Sequence, residues 1–282
     1  MLPQGFGEVA EKLRRSTVRV LSGSRGGQGT GSGVIWTSDG TVITNAHVAS
    51  EDSARVELWD GRSIDSPVLA RDPRGDLAVL KLGVPGLPAL PSRDSATLRP
   101  GELVVAVGNP LGFVGALTTG VVHASGSVRG LGRRRWVQAA IRLAPGNSGG
   151  PLADAEGRVV GINTMIVPGG IALAIPSDAV TEFLKRGSRP ALGVVVQPVR
   201  ERGLGVGLLV LEVLPRSAAE SASLLIGDLL VSVNGSRLAS VEDLGDALDA
   251  GGPVLHIGFL RGDRGREREV AVSLAGARAE AA

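Results

Sequence analysis

The 282-residue chain contains no cysteine. That excludes a disulfide framework, a cysteine nucleophile and a thiolate metal site. It leaves the compartment open, because reducing and oxidising spaces both tolerate a cysteine-free chain. Aromatic residues are 2% of the total, too few for the stacking platforms of a nucleic-acid binder. Charge of one sign is also scarce. A formal net charge of +2 gives no reason to expect an acidic partner such as DNA. The one basic cluster, Arg133-Arg134-Arg135, has only Trp136 beside it and reads as a solvated loop. No run approaches the ~18 consecutive apolar residues of a membrane span. The start, MLPQGFGEVAEKLRRS, lacks the basic opening and apolar core of a signal peptide. As it stands, the sequence is therefore expected to be cytoplasmic, or periplasmic or otherwise extracytoplasmic if a leader has been removed. Nucleotide motifs are missing too: there is no strict GxGxxG and no GxxxxGK[ST]. The glycines of Gly26–Gly33 read as a flexible turn before Val34. Three scattered histidines give no metal-ligand cluster, so neither metal nor cofactor is expected.

What the chain does have is glycine, 42 residues of it, and 43% hydrophobic residues. That is enough apolar material for two cores with many tight turns between short strands. Phe6, Val9, Ala10 and Leu13 recur at helical spacing and predict an amphipathic helix over residues 5–15. Short apolar runs follow, among them Thr17–Leu21, Gly33–Trp36, Thr41–Thr44, Arg55–Trp59, Leu77–Leu82, Leu103–Val107, Ala116–Val122, Trp136–Ala140, Arg158–Asn163 and Ile171–Ile175. Turn residues such as Ser38-Asp39-Gly40, Asp60-Gly61 and Asn109-Pro110 punctuate them. Many short strands with regular turns argue for barrels or sandwiches, not alternating βα units. Ser177 or Asp178 can cap a helix from Ala179 to Arg186, with Gly187 ending it. Gly187–Pro190 then reads as a linker. The tail predicts strands at Leu192–Val196, Leu208–Val213, Leu229–Val233, Val254–Leu260 and Glu269–Leu274. Helices capped by Ser217 (with Glu220) and Ser240 complete a compact α+β module.

Three residue types scattered along the first part could form one catalytic unit. A serine hydroxyl is a poor nucleophile until a base takes its proton and backbone N–H groups meet the oxyanion that forms. Gly146-Asn147-Ser148-Gly149-Gly150-Pro151 suits that demand, since Gly146 and Ser148 are two residues apart and flanking glycines let two N–H groups converge. Taken alone it could be a glycine turn carrying an ordinary serine. Only His47, His123 and His256 could be the base; His47 directly follows an apolar strand. Asp76 lies where a turn enters the apolar strand Leu77-Ala78-Val79-Leu80, so its carboxylate could hold an imidazole tautomer in a buried site. Asp72 reads as a turn residue. The order His, Asp, Ser matches the chymotrypsin-type double barrel and not the α/β-hydrolases.

Thr44-Asn45-Ala46-His47-Val48, Asp76-Leu77-Ala78-Val79-Leu80-Lys81 and Pro145-Gly146-Asn147-Ser148-Gly149-Gly150-Pro151-Leu152 resemble the three catalytic blocks of the HtrA (Deg) family. Val160-Gly161-Ile162-Asn163 and Ile171–Ser177 resemble its later blocks. Leu192-Gly193-Val194, Gly227-Asp228-Leu229-Leu230 and Val233-Asn234-Gly235 resemble its PDZ domain. The resemblance implies a mostly β chain: a chymotrypsin-like double six-stranded β-barrel over residues 1–187, a linker over 188–190 and a small α+β PDZ domain over 191–282. It implies an ATP-independent serine endopeptidase of protein quality control, acting on unfolded or misfolded polypeptides, with the PDZ domain binding peptide C-termini. His47, Asp76 and Ser148 would be the triad, and the N–H groups of Gly146 and Ser148 the oxyanion hole. Ala144, Pro145 and Gly146 would line the S1 pocket, and Ala172, Leu173 and Ala174 would pair with the substrate backbone. These residues are small or apolar, so cleavage after small or aliphatic residues is expected. Leu192, Gly193 and Val194 would form the PDZ carboxylate loop.

Some positions depart from the family pattern. Asn147 replaces the aspartate that captures a new N-terminus in digestive relatives, so no zymogen-type activation is expected. Ala140 stands where an acidic residue is common, and Gly126–Arg135 is short for a regulatory sensor loop. Leu225 and Ile226, if exposed, would form an apolar contact patch. Phe6 is the one aromatic candidate for building a homotrimer. Two other readings are a catalytically silent peptide-binding or chaperone protein, and an esterase pairing Ser148 with His256.

Overall fold

The computed structural model describes residues 6–23, 29–110, 115–167, 169–186, 192–201, 205–250, 252–262 and 266–274. The chain divides into two compact units, Met1–Gly187 and Ser188–Ala282. The proposed linker, Gly187–Pro190, lies outside the described residues. Among the described residues no helix is long and apolar enough to cross a membrane.

The first unit opens with helix α1 (Phe6–Ser16), which turns Leu13 fully into the core. The Phe6 side chain lies outside the described residues. Strands β1 (Thr17–Ser22), β2 (Gly29–Thr37), β3 (Thr41–Thr44), β4 (Ser53–Glu57), β5 (Ser63–Asp72) and β6 (Leu77–Lys81) follow. They close into an antiparallel barrel in the order β1-β2-β3-β6-β5-β4. A second six-stranded barrel is made by β7 (Leu103–Gly108), β8 (Ala116–Ser127), β9 (Arg135–Ala140), β10 (Pro151–Asp154), β11 (Val159–Val167) and β12 (Ile171–Pro176). Its order is β10-β11-β12-β9-β8-β7. Closure removes the sheet edges that would otherwise invite aggregation.

Each barrel has its own interior. Val18, Val20, Ile35, Val42, Val56 and Leu80 fill the first; Val104, Val122, Val137, Leu152 and Val160 fill the second. A third apolar cluster joins residues of both, including Val34, Ile43 and Leu77 with Val105, Val107 and Ile162. That shared layer forms because alternate residues of a strand face opposite ways.

The structure revises several boundaries. β2 begins at Gly29 and pairs with β1 from Gly29↔Ser22 onward, so the later glycines of Gly26–Gly33 are strand, not flexible turn. Residues 24–28 lie outside the described residues. β5 and β10 carry no clear strand signal: β5 reads as polar sequence broken by Pro67, and β10 hides behind the glycines of the serine loop. Helix α2 (Ser177–Arg186) starts at Ser177, two residues before the expected Ala179. Ser177 does not cap with its side chain; its hydroxyl donates to the Arg93 carbonyl. Asp178 accepts from Ser95 and pairs with Arg135.

The second unit is a sheet with strand order β13-β14-β15-β17-β18, to which β16 adds beside β15. Its elements are β13 (Val194–Glu201), β14 (Gly205–Val213), α3 (Ala218–Ser221), β15 (Leu229–Val233), β16 (Ser236–Arg237), α4 (Val241–Asp249), β17 (Val254–Leu260) and β18 (Arg268–Ser273). Asn234 and Gly235 both take positive φ, 48° and 77°, the backbone that a tight hairpin turn requires. Ser217 and Ser240 accept hydrogen bonds from the Glu220 and Asp243 amides, capping α3 and α4. Leu225 and Ile226 are both exposed.

Asp228 explains the Gly227-Asp228 pair. Its carboxylate is fully buried, accepts the Leu225 amide at 2.8 Å and takes a two-pronged pair from Arg261 at 2.7 Å. Asp228→Ala would leave the partly buried guanidinium without its counter-charge. It is expected to destabilise this unit by about 3–5 kcal/mol. Hydrogen–deuterium exchange on the full chain checks it: β15 and β17 amides should lose protection while barrel amides keep theirs. Equal protection in both proteins would refute the assignment.

Candidate active site

His47 sits in the turn after β3, a strand whose Val42 and Ile43 are fully buried. Asp76 sits in the turn before β6. The two turns are neighbours because β3 pairs with β6, Thr44 opposite Ala78. His47 Nδ1 lies 2.9 and 3.0 Å from the two Asp76 carboxylate oxygens, and the His47 amide donates to Asp76 Oδ1 at 3.1 Å. Asp76 is held in a left-handed conformation, φ 51°, which non-glycine residues adopt at a cost that Asn and Asp bear best. Three contacts hold it there. Gly75 N–H donates to the buried Asp72 carboxylate at 2.8 Å, Asn45 Nδ2 donates to the Asp76 carbonyl at 2.9 Å, and Arg134 donates to the Gly75 carbonyl.

Arg134 corrects the reading of its cluster as a merely solvated loop. It leaves the β8–β9 connection, stacks on Trp136 with its guanidinium carbon 4.3 Å from the ring centroid, and reaches the first barrel's turn. A delocalised cation over an indole face is a favourable arrangement.

Ser148 stands between β9 and β10. Its hydroxyl donates to the Thr164 carbonyl at 3.0 Å, not to the His47 ring, and Thr164 Oγ1 donates to Asp76 Oδ2. Thr164 thus joins the nucleophile and the carboxylate–imidazole pair. It is a site residue that sequence reasoning missed, because a threonine after Asn163 carries no local signal. Ser32 on β2 was missed for the same reason, amid glycines. It is fully buried, donates to the Gly146 carbonyl at 2.7 Å and accepts the Asn109 amide at 2.9 Å. Its own amide donates to the Ser148 carbonyl at 2.8 Å. One first-barrel serine therefore fixes both ends of the Gly146–Ser148 segment. Gly149 has φ 85°, and a Cβ there would fall 2.0 Å from the Ser32 carbonyl oxygen; only glycine fits. Among the described residues, the N–H groups of Gly146 and Ser148 are donated to no protein acceptor.

The electrostatics follow from this geometry. For Asp76, burial is the largest influence and raises the pKa. The hydrogen bonds from His47 and Thr164 oppose it, and the net pKa is below the usual carboxylate value. Asp76 in turn raises the pKa of the half-exposed His47 above its ordinary 6.5, its hydrogen bond outweighing partial desolvation.

Ala144, Pro145 and Gly146 lie on the serine loop, none of them buried. Ala172, Leu173 and Ala174 are elsewhere than the pairing role requires. They are buried, Ala172 and Ala174 in the second barrel's interior and Leu173 in the layer shared by both barrels, and β12 is paired on both sides, to β11 through Asn163, Met165 and Ile166 and to β9 through Ala139, Gln138 and Val137. A strand with both edges used cannot also pair with a substrate. The neighbouring segment of β11 differs. β10 pairs with β11 only as far as Ile162, so, among the described residues, Met165-Ile166-Val167, directly after Thr164, is paired by β12 on one side alone. Met165 and Ile166 are exposed. Among the described residues no cluster of His, Asp and Glu could hold a metal ion.

In the second unit, Leu192-Gly193-Val194 leads into β13. The Leu192 and Gly193 carbonyls accept the Ala219 and Leu214 amides, at 2.8 and 2.9 Å. Gly193 has φ 77° and packs on Ser217, where a Cβ would be 2.2 Å from the Ser217 Cβ. His256 is on β17, its ring 3.2 Å from Glu269, with nothing of a nucleophile's setting around it.

Comparison with known proteins agrees with this architecture. A family model described as a trypsin-like peptidase domain matches residues 31–162, and one described as a PDZ domain matches 209–263. Serine protease HTRA1 of Xenopus tropicalis is 34% identical over 265 residues, covering 83% of this chain and 58% of the relative. A probable periplasmic serine endoprotease DegP-like of Pseudomonas putida is 38% identical over 267 residues, covering 86% and 56%. The chain thus spans a little over half the length of these relatives. Among solved structures, the serine endoprotease from Yersinia pestis superposes with a TM-score of 0.65 at 27% identity, covering 97% of this chain and 98% of that one. The HtrA-type protease AlgW with tripeptide gives 0.64 at 28%, covering 95% and 96%. With two closed six-stranded barrels, a PDZ module and these relatives, the chain belongs to the HtrA (Deg) family of trypsin-like serine proteases with one PDZ domain.

Proposed function

We propose that this chain is a serine endopeptidase with His47, Asp76 and Ser148 as its triad. The observation that carries the reading is the double contact of Thr164, hydroxyl to Asp76 and carbonyl to Ser148. In the resting site the Ser148 hydroxyl occupies the Thr164 carbonyl. A substrate strand added along the open edge of Met165–Val167 would bring its own N–H to that carbonyl. The Ser148 hydroxyl, displaced, turns to the free nitrogen of His47. His47 takes the proton as Ser148 attacks the peptide carbonyl, and then protonates the leaving amine. Asp76 holds the ring tautomer and stabilises the imidazolium. The unused N–H groups of Gly146 and Ser148 receive the oxyanion, each donor contributing about 3–4 kcal/mol in comparable enzymes.

Strand addition selects extended chains, so unfolded or misfolded polypeptides are the substrate class, in keeping with a quality-control role. Ala144, Pro145 and Gly146 offer no charge, which favours small or aliphatic residues before the cut. The second unit would bind peptide C-termini at Leu192-Gly193-Val194, beside the open edge of β13; the AlgW structures were solved with a tripeptide and a decapeptide. The relatives named as periplasmic enzymes support the extracytoplasmic alternative for compartment. The silent-binder reading is disfavoured by the formed His47–Asp76 pair, which such a protein would not need.

Peptide-library cleavage with a pH profile tests the reading. Neutral His47 is the base, and Asp76 raises its pKa, so kcat/KM should climb with pH through a midpoint above 6.5. Cuts should follow small or aliphatic residues. A midpoint below that value, or a preference for Arg or Lys, would count against it.

A further inference from the structure

β13 lies at the end of the second unit's sheet, with β14 on one side and, among the described residues, no strand of its own unit on the other. This is the edge along which the proposed C-terminal peptide would lie, and any role of the strand in peptide binding rests on that reading. The strand contains a proline. Pro198 pairs in register opposite Leu208, yet it has no N–H to give. A proline is accommodated in a paired strand only where its nitrogen faces away from the partner. The Pro198 nitrogen therefore faces the open edge.

Backbone groups alternate in direction along a strand, so Val194 and Val196 also present theirs to the open edge. Side-chain packing shows that the alternation is unbroken. Val194 and Val196 pack against the cluster containing Leu208, Leu244 and Leu248. Val199, of opposite parity, packs against a separate cluster with Leu229 and Leu260. The register does shift between Val195 and Val196, which oppose Glu212 and Val210. The additional residue is Leu211 on β14, so β13 keeps its phase.

Moving out from the Leu192-Gly193-Val194 loop, the open edge thus offers complete backbone groups at Val194 and Val196, a carbonyl alone at Pro198, and complete groups again at Arg200. An antiparallel peptide meets one such position for every two of its own residues. With its carboxylate at the loop, its last residue faces Val194, its third from last faces Val196 and its fifth from last faces Pro198. The N–H of that fifth residue can be accepted by the Pro198 carbonyl, but its own carbonyl finds no donor. Left in water it gains nothing; covered, it is penalised as an unpaired acceptor.

We propose that Pro198 interrupts strand addition on this domain, withholding one ladder hydrogen bond from the carbonyl of a bound peptide's fifth residue from the end and so weakening its grip on what precedes the last four residues. Such a domain would accept exposed C-termini of many unrelated chains, provided their ends are apolar enough to lie against Val194, Val196 and helix α4.

The test uses the full chain and nested, N-acetylated peptides ending in Val-Val-Val-COOH, from the tripeptide to an octapeptide lengthened with serine and lysine. Binding is read by competition against a fluorescent member of the set, and each length is repeated as the C-terminal amide. In the wild type the step from three residues to four should be small, because the carbonyl added with the fourth residue, that of its acetyl group, faces Pro198 and finds no donor. Pro198→Val restores the missing donor. In that variant every peptide of four or more residues should bind roughly three- to tenfold tighter than it binds the wild type, because the acetyl carbonyl of the tetrapeptide already stands where the fifth residue's carbonyl would, while the tripeptide should bind both alike; that is the effect of one net hydrogen bond. Pro198→Ala, of lower strand propensity, should show the same gain in weaker form. Variants that bind the tripeptide and the tetrapeptide in the wild-type ratio would overturn the proposal. Amides that bind as well as acids, or no binding by any peptide, would instead overturn the carboxylate-loop reading beneath it.

Discussion

Ser148→Ala is expected to lower kcat by roughly a millionfold while leaving the fold intact. The argument starts from how little the side chain does structurally. Its hydroxyl makes one hydrogen bond, to the Thr164 carbonyl, and the segment around it is fixed by backbone groups instead: the Ser148 carbonyl by the Ser32 amide and the Gly146 carbonyl by the Ser32 hydroxyl. Removing one oxygen should change stability by about 1 kcal/mol or less. Chemically, no other nucleophile replaces it. The residual rate should be that of the oxyanion donors and binding alone. A fluorophosphonate should label the wild type at Ser148 and leave the variant unlabelled, and casein digestion should vanish with the label. A variant that keeps more than a hundredth of wild-type cleavage would remove Ser148 from the mechanism.

Asp76→Asn should cost about 10⁴ in kcat. Asparagine is the informative choice because Asp76 has φ 51°, and asparagine tolerates left-handed backbone as well as aspartate does. The loss can then be traced to charge and not to a collapsed turn. The amide oxygen can still accept from the His47 amide and ring, with its NH₂ group turned to Thr164, whose hydroxyl rotates to accept. Geometry survives in that arrangement; the negative charge does not. His47 then loses what raises its pKa, chiefly the hydrogen bond to the carboxylate. The midpoint of the pH–rate profile should therefore fall relative to the wild type, even as the rate falls at every pH. An unmoved midpoint, or a rate within tenfold of the wild type, would show that Asp76 does not act through His47.

The contrast between these residues and Thr164 or Ser32 shows what could be read from the chain before its structure. His47, Asp76 and Ser148 each stand in a short block whose residue types bear the stamp of a role: a strand end, a turn entering an apolar run, a glycine-rich loop. Thr164 and Ser32 act through backbone and hydroxyl contacts to residues 88 and 114 positions away. Nothing in their immediate neighbours hints at those partners. The Asp228–Arg261 pair is similar, since the Gly227-Asp228 motif is visible and its cation, 33 positions on, is not. Arg134 goes further, because a run of three arginines beside a glycine-rich stretch has every appearance of solvated sequence until Trp136 and the Gly75 carbonyl are placed next to it.

Local pattern was enough to establish a β-rich chain in two parts, the turn chemistry of Asn234-Gly235 and the candidate nucleophile, base and carboxylate. Those properties depend on residue type and near-neighbour spacing, which the chain carries within itself. Which strand is free to receive a substrate was decided only by tertiary order. Ala172–Ala174 and Met165–Val167 are both plausible strands, but β12 is flanked by β9 and β11, whereas β10 ends before Met165. Edge availability belongs to the arrangement of neighbours in space, and a strand's own residues do not encode who will lie beside it.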